Sequence, residues 1–219
     1  VTASFDVATS VASIVSTANA TPAAEGATYA LTTAVDDFTG NSGNDTFSGY
    51  ATTYTGLDSI DGGDGTDTLN LASTTAIADV SGVTVANIET INLRSVTTTD
   101  FDTSTGFTGL TTLNSTLGTT VALEAAATTD VNVFNSVNTA TVTGGKDVTI
   151  THTTLGDVTA TATAGALDIT TAFGAVVVGG GASTTNALGT VTVDMTGTAA
   201  AKTGVIGITG GTVIDVTAS

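Results

Sequence analysis

The chain has no cysteine and no tryptophan, a single proline, a single methionine, a single histidine and only 3 basic residues. Without cysteine there is no disulfide to staple the fold and no thiolate to act as nucleophile or metal ligand. With 3 Lys and Arg against 20 acids, the formal charge is −17. A surface this poor in cations has little with which to grip phosphate, which argues against nucleic acid and anionic membrane surfaces as partners. The lone histidine excludes an H-E-x-x-H zinc protease. Gly40-Asn41-Ser42-Gly43-Asn44 lacks the last glycine of a nucleophile elbow. No apolar run is long enough to cross a bilayer, so no membrane insertion is expected, and no charged, apolar and cleavable leader pattern is visible. The chain begins at Val1 rather than Met and ends on the strand-like Val213-Ile214-Asp215-Val216. A processed protein, or a piece of a longer one, is expected on that ground.

What is abundant is Thr, Gly, Ala and Val, with aspartate as the acid; only three acids are glutamate. Aspartate suits turns and short-armed metal loops, glutamate suits helices, and β-branched residues pack well on pleated surfaces. At 219 residues the chain is long enough to bury a core as one all-β unit.

One stretch carries more chemistry than the rest. Gly62-Gly63-Asp64-Gly65-Thr66-Asp67-Thr68-Leu69-Asn70 matches G-G-x-G-x-D-x-U-x, with U a large apolar residue, at every fixed place. That pattern builds a half-coil of a calcium-binding parallel β-roll. Its glycines allow a sharp turn that aims carbonyl oxygens and the Asp67 carboxylate at one spot, and Leu69 enters the core. An all-oxygen nest suits a hard cation such as Ca²⁺. Two partial matches keep the frame: residues 53–61 with Gly56, Asp58 and Ile60, and residues 40–48 with Gly40, Gly43, Asp45 and Phe47. Successive turns of a roll alternate between two edges, so the turns at 40–45 and 62–67 are expected to stack, with Asp45 and Asp67 on one ion and backbone carbonyls completing it. The candidate ligand positions are Gly40, Ser42, Asn44, Asp45, Asp58, Asp61, Gly62, Gly63, Asp64, Gly65 and Asp67. Several Ca²⁺ ions would relieve the self-repulsion of the chain, each offsetting two charges. Asn87 and Glu89 either close a turn or add an oxygen ligand. Asp36, Asp37, Asp79, Asp100 and Asp102 are either secondary ligands or solvated turn residues.

Three segments are distinguishable. Residues 1–30 place Phe5, Ala8, Val11, Val15 and Ala18 at helical spacing, so a short helix before Pro22 or an extended arm is expected. Residues 31–95 hold the calcium-type repeats. Residues 96–219 form a Thr-rich series continuous with them, with apolar-x-apolar strands predicted to begin at Leu110, Val121, Val131, Ala140, Val148, Val158, Leu167 and Val176, and less regularly at Val191, Val205 and Val213. Regular short strands fit a sandwich or a solenoid. Continuity with the nonapeptides favours a right-handed parallel β-solenoid.

His152 alternates with Val148 and Ile150 and reads as a structural residue at a strand end. Arg94, the sole arginine, is the only basic residue near the repeats, which leaves a carbohydrate-active enzyme thinly supported. Thr-x-Thr pairs at 141/143, 149/151, 159/161 and 190/192 are reminiscent of ice-binding solenoids, but they fall on successive half-coils and are expected to split between two faces.

The run from Thr55 to Asn70, followed by Gly82-Val83-Thr84-Val85-Ala86-Asn87-Ile88-Glu89-Thr90-Ile91-Asn92-Leu93 and Thr105-Gly106-Phe107-Thr108-Gly109-Leu110-Thr111-Thr112-Leu113-Asn114, resembles the start of the lattice-forming region of Caulobacter-type surface-layer proteins, with their repeat-in-toxin-like calcium loops. The likeness covers residues 38 to about 120. It implies a right-handed β-solenoid with many Ca²⁺ ions, type I secretion, an extracellular place on the bacterial cell surface, and self-assembly with its own copies into a two-dimensional array. Lipopolysaccharide attachment would fall to a region not in this chain, which is far shorter than a whole lattice protein. The alternative is a calcium-dependent adhesin or biofilm-matrix module with the same fold and metal.

Overall fold

The computed structural model describes residues 24–152, 156–172, 175–179, 189–196 and 206–218. The helix or arm expected before Pro22, and the strand start at Val205, lie outside these residues. Twenty short strands are described, and no helix. The first seven are β1 (Thr28–Ala30), β2 (Asp37–Thr39), β3 (Thr46–Tyr50), β4 (Ser59–Asp61), β5 (Thr68–Ser73), β6 (Ile77–Ala78) and β7 (Thr84–Ala86). Then follow β8 (Thr90–Ser95), β9 (Thr98–Asp102), β10 (Thr112–Thr116), β11 (Thr120–Ala125), β12 (Asp130–Ser136), β13 (Thr139–Gly144) and β14 (Val148–His152). The last are β15 (Val158–Thr161), β16 (Leu167–Thr171), β17 (Val176–Gly179), β18 (Thr190–Met195), β19 (Ile206–Thr209) and β20 (Val213–Ala218).

Every pairing is parallel, and strands pair with the strand one circuit away. This makes the fold a β-solenoid rather than a sandwich. Strands β1, β3, β5, β8, β10, β12, β14, β16, β18 and β20 form a ten-stranded face; β19, β17, β15, β13, β11, β9 and β6 form a seven-stranded face; β2, β4 and β7 form a three-stranded face at one end. The predicted strand starts agree within about a residue, except that Leu110 lies two residues before β10. There the left-handed Gly109 (φ 84°) turns the chain, and Leu110 is buried in the turn. Strand β1 already belongs to the ten-stranded face, and that face runs without a break through residues 95 and 96.

Alternation decides which residues face inward. On β5, Leu69 and Leu71 are buried while Thr68 and Asn70 are half-buried on the outer face. The inward column Phe47, Leu69, Ile91, Leu113, Val131, Val148, Leu167 and Val191 runs down the ten-stranded face, each residue at most 1% exposed. Opposite it on the seven-stranded face lie Phe101, Leu123, Val142, Ala160 and Val178. The first aromatic layer is Tyr29 stacked on Phe47, centroids 4.7 Å apart, with Phe38 tilted beside them.

The circuit is 22 residues long through Asn70, Asn92 and Asn114, then 18 to Asn132. These four asparagines make an outer amide ladder at 2.8–2.9 Å. The circuit shortens where the three-stranded face ends, its last link being a single bridge from Val85 to Phe107. A smaller cross-section needs smaller side chains, and the inward column of the seven-stranded face passes from Phe101 and Leu123 to Val142, Ala160 and Val178. The Thr-x-Thr pairs do split: 141/143 and 159/161 sit on the seven-stranded face, 149/151 and 190/192 on the ten-stranded one.

His152 closes β14 with 2% exposure, its Nδ1 2.7 Å from Ser136 Oγ. Burial pushes its pKa down, against a hydrogen bond to the Asn138 backbone and the negative charge of Asp157. A group held neutral by burial contributes stability that is fully present above the unfolded value of about 6.5 and lost as pH falls below it. The unfolding free energy is therefore expected to fall as pH drops below about 6.5, by at most about 1.4 kcal/mol per pH unit. His152→Gln should flatten that slope in urea titrations.

Candidate metal centre

The nonapeptide turn lies on the edge that feeds the ten-stranded face. Turn 40–45 joins β2 to β3, turn 62–67 joins β4 to β5, and the short turn 87–89 joins β7 to β8. The 22-residue circuit stacks them. The Asp45 amide donates to Asp67 Oδ1 at 2.6 Å, and the Asp67 amide donates to Glu89 Oε2 at 2.6 Å. Asp45, Asp67 and Glu89 thus form a column of carboxylates, each one receiving the amide of the coil before it; Asp45 Oδ1 takes the Ala27 amide in the same way. Glu89 enters this column because its place in the circuit is that of Asp45 and Asp67, and the 22-residue spacing is the signal that identifies it.

The two glycine turns differ in one respect that matters. In turn 40–45 the Asn41 amide donates to Asp45 Oδ2 at 2.6 Å. The corresponding amide in turn 62–67 belongs to Gly63, whose φ is +86°, a conformation that costs an ordinary residue about 1–2 kcal/mol. That backbone turn points the Gly63 amide at Asp61 Oδ1 instead, at 3.0 Å. Asp67 Oδ2 is left buried with no hydrogen-bond partner, on a side chain that is 0% exposed. An unpaired buried oxygen of this kind carries a desolvation penalty of about 1–3 kcal/mol or more.

The turn that holds Asp67 is faced by carbonyls. A Cβ on Gly63 would lie 2.8 Å from the Asn41 carbonyl oxygen and 3.3 Å from that of Gly40. One on Gly65 would collide with the Gly43 oxygen, and one on Gly62 would meet Asp67 Oδ2 and the Asn87 oxygen. Carbonyls from the coils on either side therefore face the turn, in spaces only glycine leaves open. Among the described residues no three carboxylate or imidazole groups converge on one point. The donor set at the turn is one free carboxylate oxygen and backbone carbonyls, and in chemical type it fits a hard cation such as Ca²⁺.

The remaining predicted positions are distributed as follows. Ser42, Asn44 and Asp64 are exposed at the turn tips, and Asn44 Oδ1 accepts the Thr66 amide at 3.0 Å. Asp61 is half-buried and braces the turn, accepting also from Asn87 Nδ2 at 2.7 Å. Asp58 lies on the opposite edge. Its oxygens accept from the amide and hydroxyl of Thr55 and from the Asp36 amide, while Asp36 accepts from the amide and hydroxyl of Thr32. Asp36, Asp45, Asp58 and Asp67 are the buried acids among the described residues, and of these only Asp67 keeps an unpartnered oxygen.

Electrostatics separates this end of the molecule from the other. Asp67 is held above the ordinary carboxylate range, first by burial and then by the charges of Glu89, Asp45 and Asp61, against the lowering effect of the Asp45 amide. Farther along, Lys146 Nζ lies 3.3 Å from both Asp130 and Asp147, and Asp147 is pulled below the usual range by the Ala166 amide and by Lys146. The later coils carry their own cation, whereas no described basic side chain pairs with the Asp45, Asp67 and Glu89 column.

No protein-family model and no curated protein sequence matches this chain.

A raised folded-state pKa gives stability that is present below the unfolded value of about 3.9 and lost as pH rises through the folded value. At neutral pH without divalent cations the Asp67 charge therefore opposes folding. Asp67→Asn is expected to melt no lower than the parent chain in chelator at pH 7, and higher if the Asn amide finds a carbonyl. Gly63→Ala should lose about 1–2 kcal/mol under the same conditions from its left-handed backbone alone, read by thermal unfolding.

Proposed function

We propose that this chain is a non-enzymatic structural module of a bacterial surface layer, folded outside the cell by Ca²⁺ and partnered by its own copies. One observation carries the calcium part: the buried, unpartnered Asp67 Oδ2, in a glycine turn faced by carbonyls of the neighbouring coils and in a column of carboxylates with which no described basic side chain pairs. It occurs at the one unit that matches the nonapeptide at every fixed place. A divalent ion at that turn would supply the missing partner for Asp67 Oδ2 and lower the repulsion from Asp45 and Glu89. The glycine carbonyls of the stacked turns are the further donors.

The same charges give the reading its switch. At low cytosolic Ca²⁺ the acidic edge resists compaction and the chain stays competent for type I secretion. Outside the cell, metal binding and folding are one step, as in other metal-dependent domains. The structural rather than catalytic reading is favoured by His152, which is sealed in the core against Ser136 and so has no route to a substrate. The resemblance in the sequence supports the surface-layer assignment, with lipopolysaccharide attachment left to residues outside this chain. The long ten-stranded face, with its Thr and Asn columns repeated at about 4.8 Å, offers copies a periodic surface.

Extracellular calcium modules bind at roughly 10⁻⁴–10⁻³ M. At about 1 mM Ca²⁺ a site of about 10⁻⁴ M adds roughly 1.4 kcal/mol, or about 3–6 °C in melting temperature for a chain of this size. Calcium should raise the melting temperature by at least that amount over excess EGTA, and Asp67→Asn should remove most of one site's share. Melting that ignores EGTA sinks the calcium reading. Electron microscopy of the protein with calcium is expected to show sheets or regular filaments; dispersed monomers would point to the adhesin instead.

A further inference from the structure

A second feature stands apart from the calcium-type turns, at the corner where the three-stranded and seven-stranded faces meet. Turn 79–83, which links β6 to β7, and the segment 102–107 after β9 enclose a pocket of about 330 Å³ beneath Tyr54. Its lining includes Tyr54, Asp79, Val83, Asp102, Thr105 and Phe107. Three properties mark it as built for a ligand.

One wall is aromatic. Tyr54 packs on Phe101 and Phe101 on Phe107, both pairs with centroids 5.9 Å apart. Phe101 is 1% exposed and fixes the other two rings. The rim is anionic: Asp79 comes from one coil and Asp102 from the next. Asp102 Oδ1 holds the Ser104 amide at 2.7 Å, Asp79 has no side-chain hydrogen bond, and neither forms an ion pair among the described residues. Finally, Tyr54 is only 3% exposed, and its side chain, whose hydroxyl hydrogen-bonds no described residue, lines the pocket. Its pKa is pushed up by burial first and then by the charges of Asp79 and Asp58, which places the hydroxyl within the field of the Asp79 carboxylate.

The chemistry of the occupant follows by elimination among ligand classes. Two carboxylates repel an anion. A hard divalent ion needs six to eight oxygens and gains little from rings. A neutral sugar leaves the charges uncompensated. An ammonium on a short carbon chain satisfies every group: its N–H donors meet the carboxylates and the phenol oxygen, its charge lies near ring faces, and its methylenes cover apolar surface. The volume lies within the small-ligand range.

We propose that this pocket binds the primary ammonium group of a small aliphatic amine, of the polyamine or amino-sugar class, between Asp79, Asp102 and the aromatic pair Tyr54 and Phe107. This site is independent of the calcium reading and keeps its prediction if that reading fails.

The test is isothermal calorimetry on the full chain, in calcium and again in chelator, with 1,4-diaminobutane, glucosamine and, as the uncharged control, 1,4-butanediol. Saturable binding of at least one amine, with none of the diol, is expected, and the two amines distinguish the source. Asp79→Asn with Asp102→Asn should weaken binding by at least about tenfold, Tyr54→Phe by a few-fold, and Asp168→Asn, an exposed acid on the ten-stranded face, not at all. Equal loss in Asp168→Asn, unchanged affinity in the double variant, equal binding of the diol, or no binding of either amine overturns the proposal; the first two would mean general attraction to a chain of charge −17.

Discussion

The parallel hydrogen-bond ladder of the ten-stranded face sets the environment of every other group. Because Thr46, Thr68, Thr90 and Thr112 stand in register, each side chain meets the residue one circuit before it and one circuit after it, about 4.8 Å away. Stacking like on like favours some residues and penalises others. Apolar columns close into a continuous core. Asparagines gain, since each amide is both donor and acceptor, and the ladder from Asn70 to Asn132 results. Carboxylates lose, since a column of them repels along its whole length.

The molecule answers that repulsion differently on its two edges and at its two ends. On the edge of Asp36 and Asp58, threonine amides and hydroxyls occupy the carboxylate oxygens. On the edge of Asp130 and Asp147, Lys146 supplies a positive charge. On the edge of Asp45, Asp67 and Glu89, backbone amides satisfy most oxygens but leave Asp67 Oδ2 bare. The deficit is created by a conformation: with Gly63 left-handed, the amide that would have capped Asp67 serves Asp61 instead. The proposed role of calcium rests on this arrangement, in which the local turn chemistry removes a protein donor in a turn that carbonyls of the neighbouring coils face.

Changing the length of the circuit has consequences beyond the core. As the three-stranded face ends at the Val85 to Phe107 bridge, the chain must step from a three-sided to a two-sided cross-section. Larger rings are needed to fill that step, and Tyr54, Phe101 and Phe107 gather there. The turn 79–83 cannot pack flush against a shape in transition, which leaves the corner pocket open between two coils. The amine-binding proposal thus attaches to an irregularity of the solenoid, as the calcium proposal attaches to its regularity.

Much of this was legible in the residues. Period-two alternation marks the strands, and eight- to eleven-residue spacing marks their succession. The frame shared by Gly40, Asp45, Gly62 and Asp67 marks the stacked turns, because a Cβ at Gly40 or Gly62 would collide with a carbonyl of the neighbouring coil. Three things required the tertiary structure. Parallel pairing, which separates a solenoid from a sandwich, depends on contacts a full circuit apart. The separation of Asp58 from Asp67, and the entry of Glu89 into the Asp67 column, depend on which edge each turn occupies, and so on the length of the path between them. The bare oxygen of Asp67 depends on where neighbouring amides point. Sequence patterns record which groups a chain carries, whereas satisfaction of a buried oxygen is a property of distances and angles that only the packed coils define.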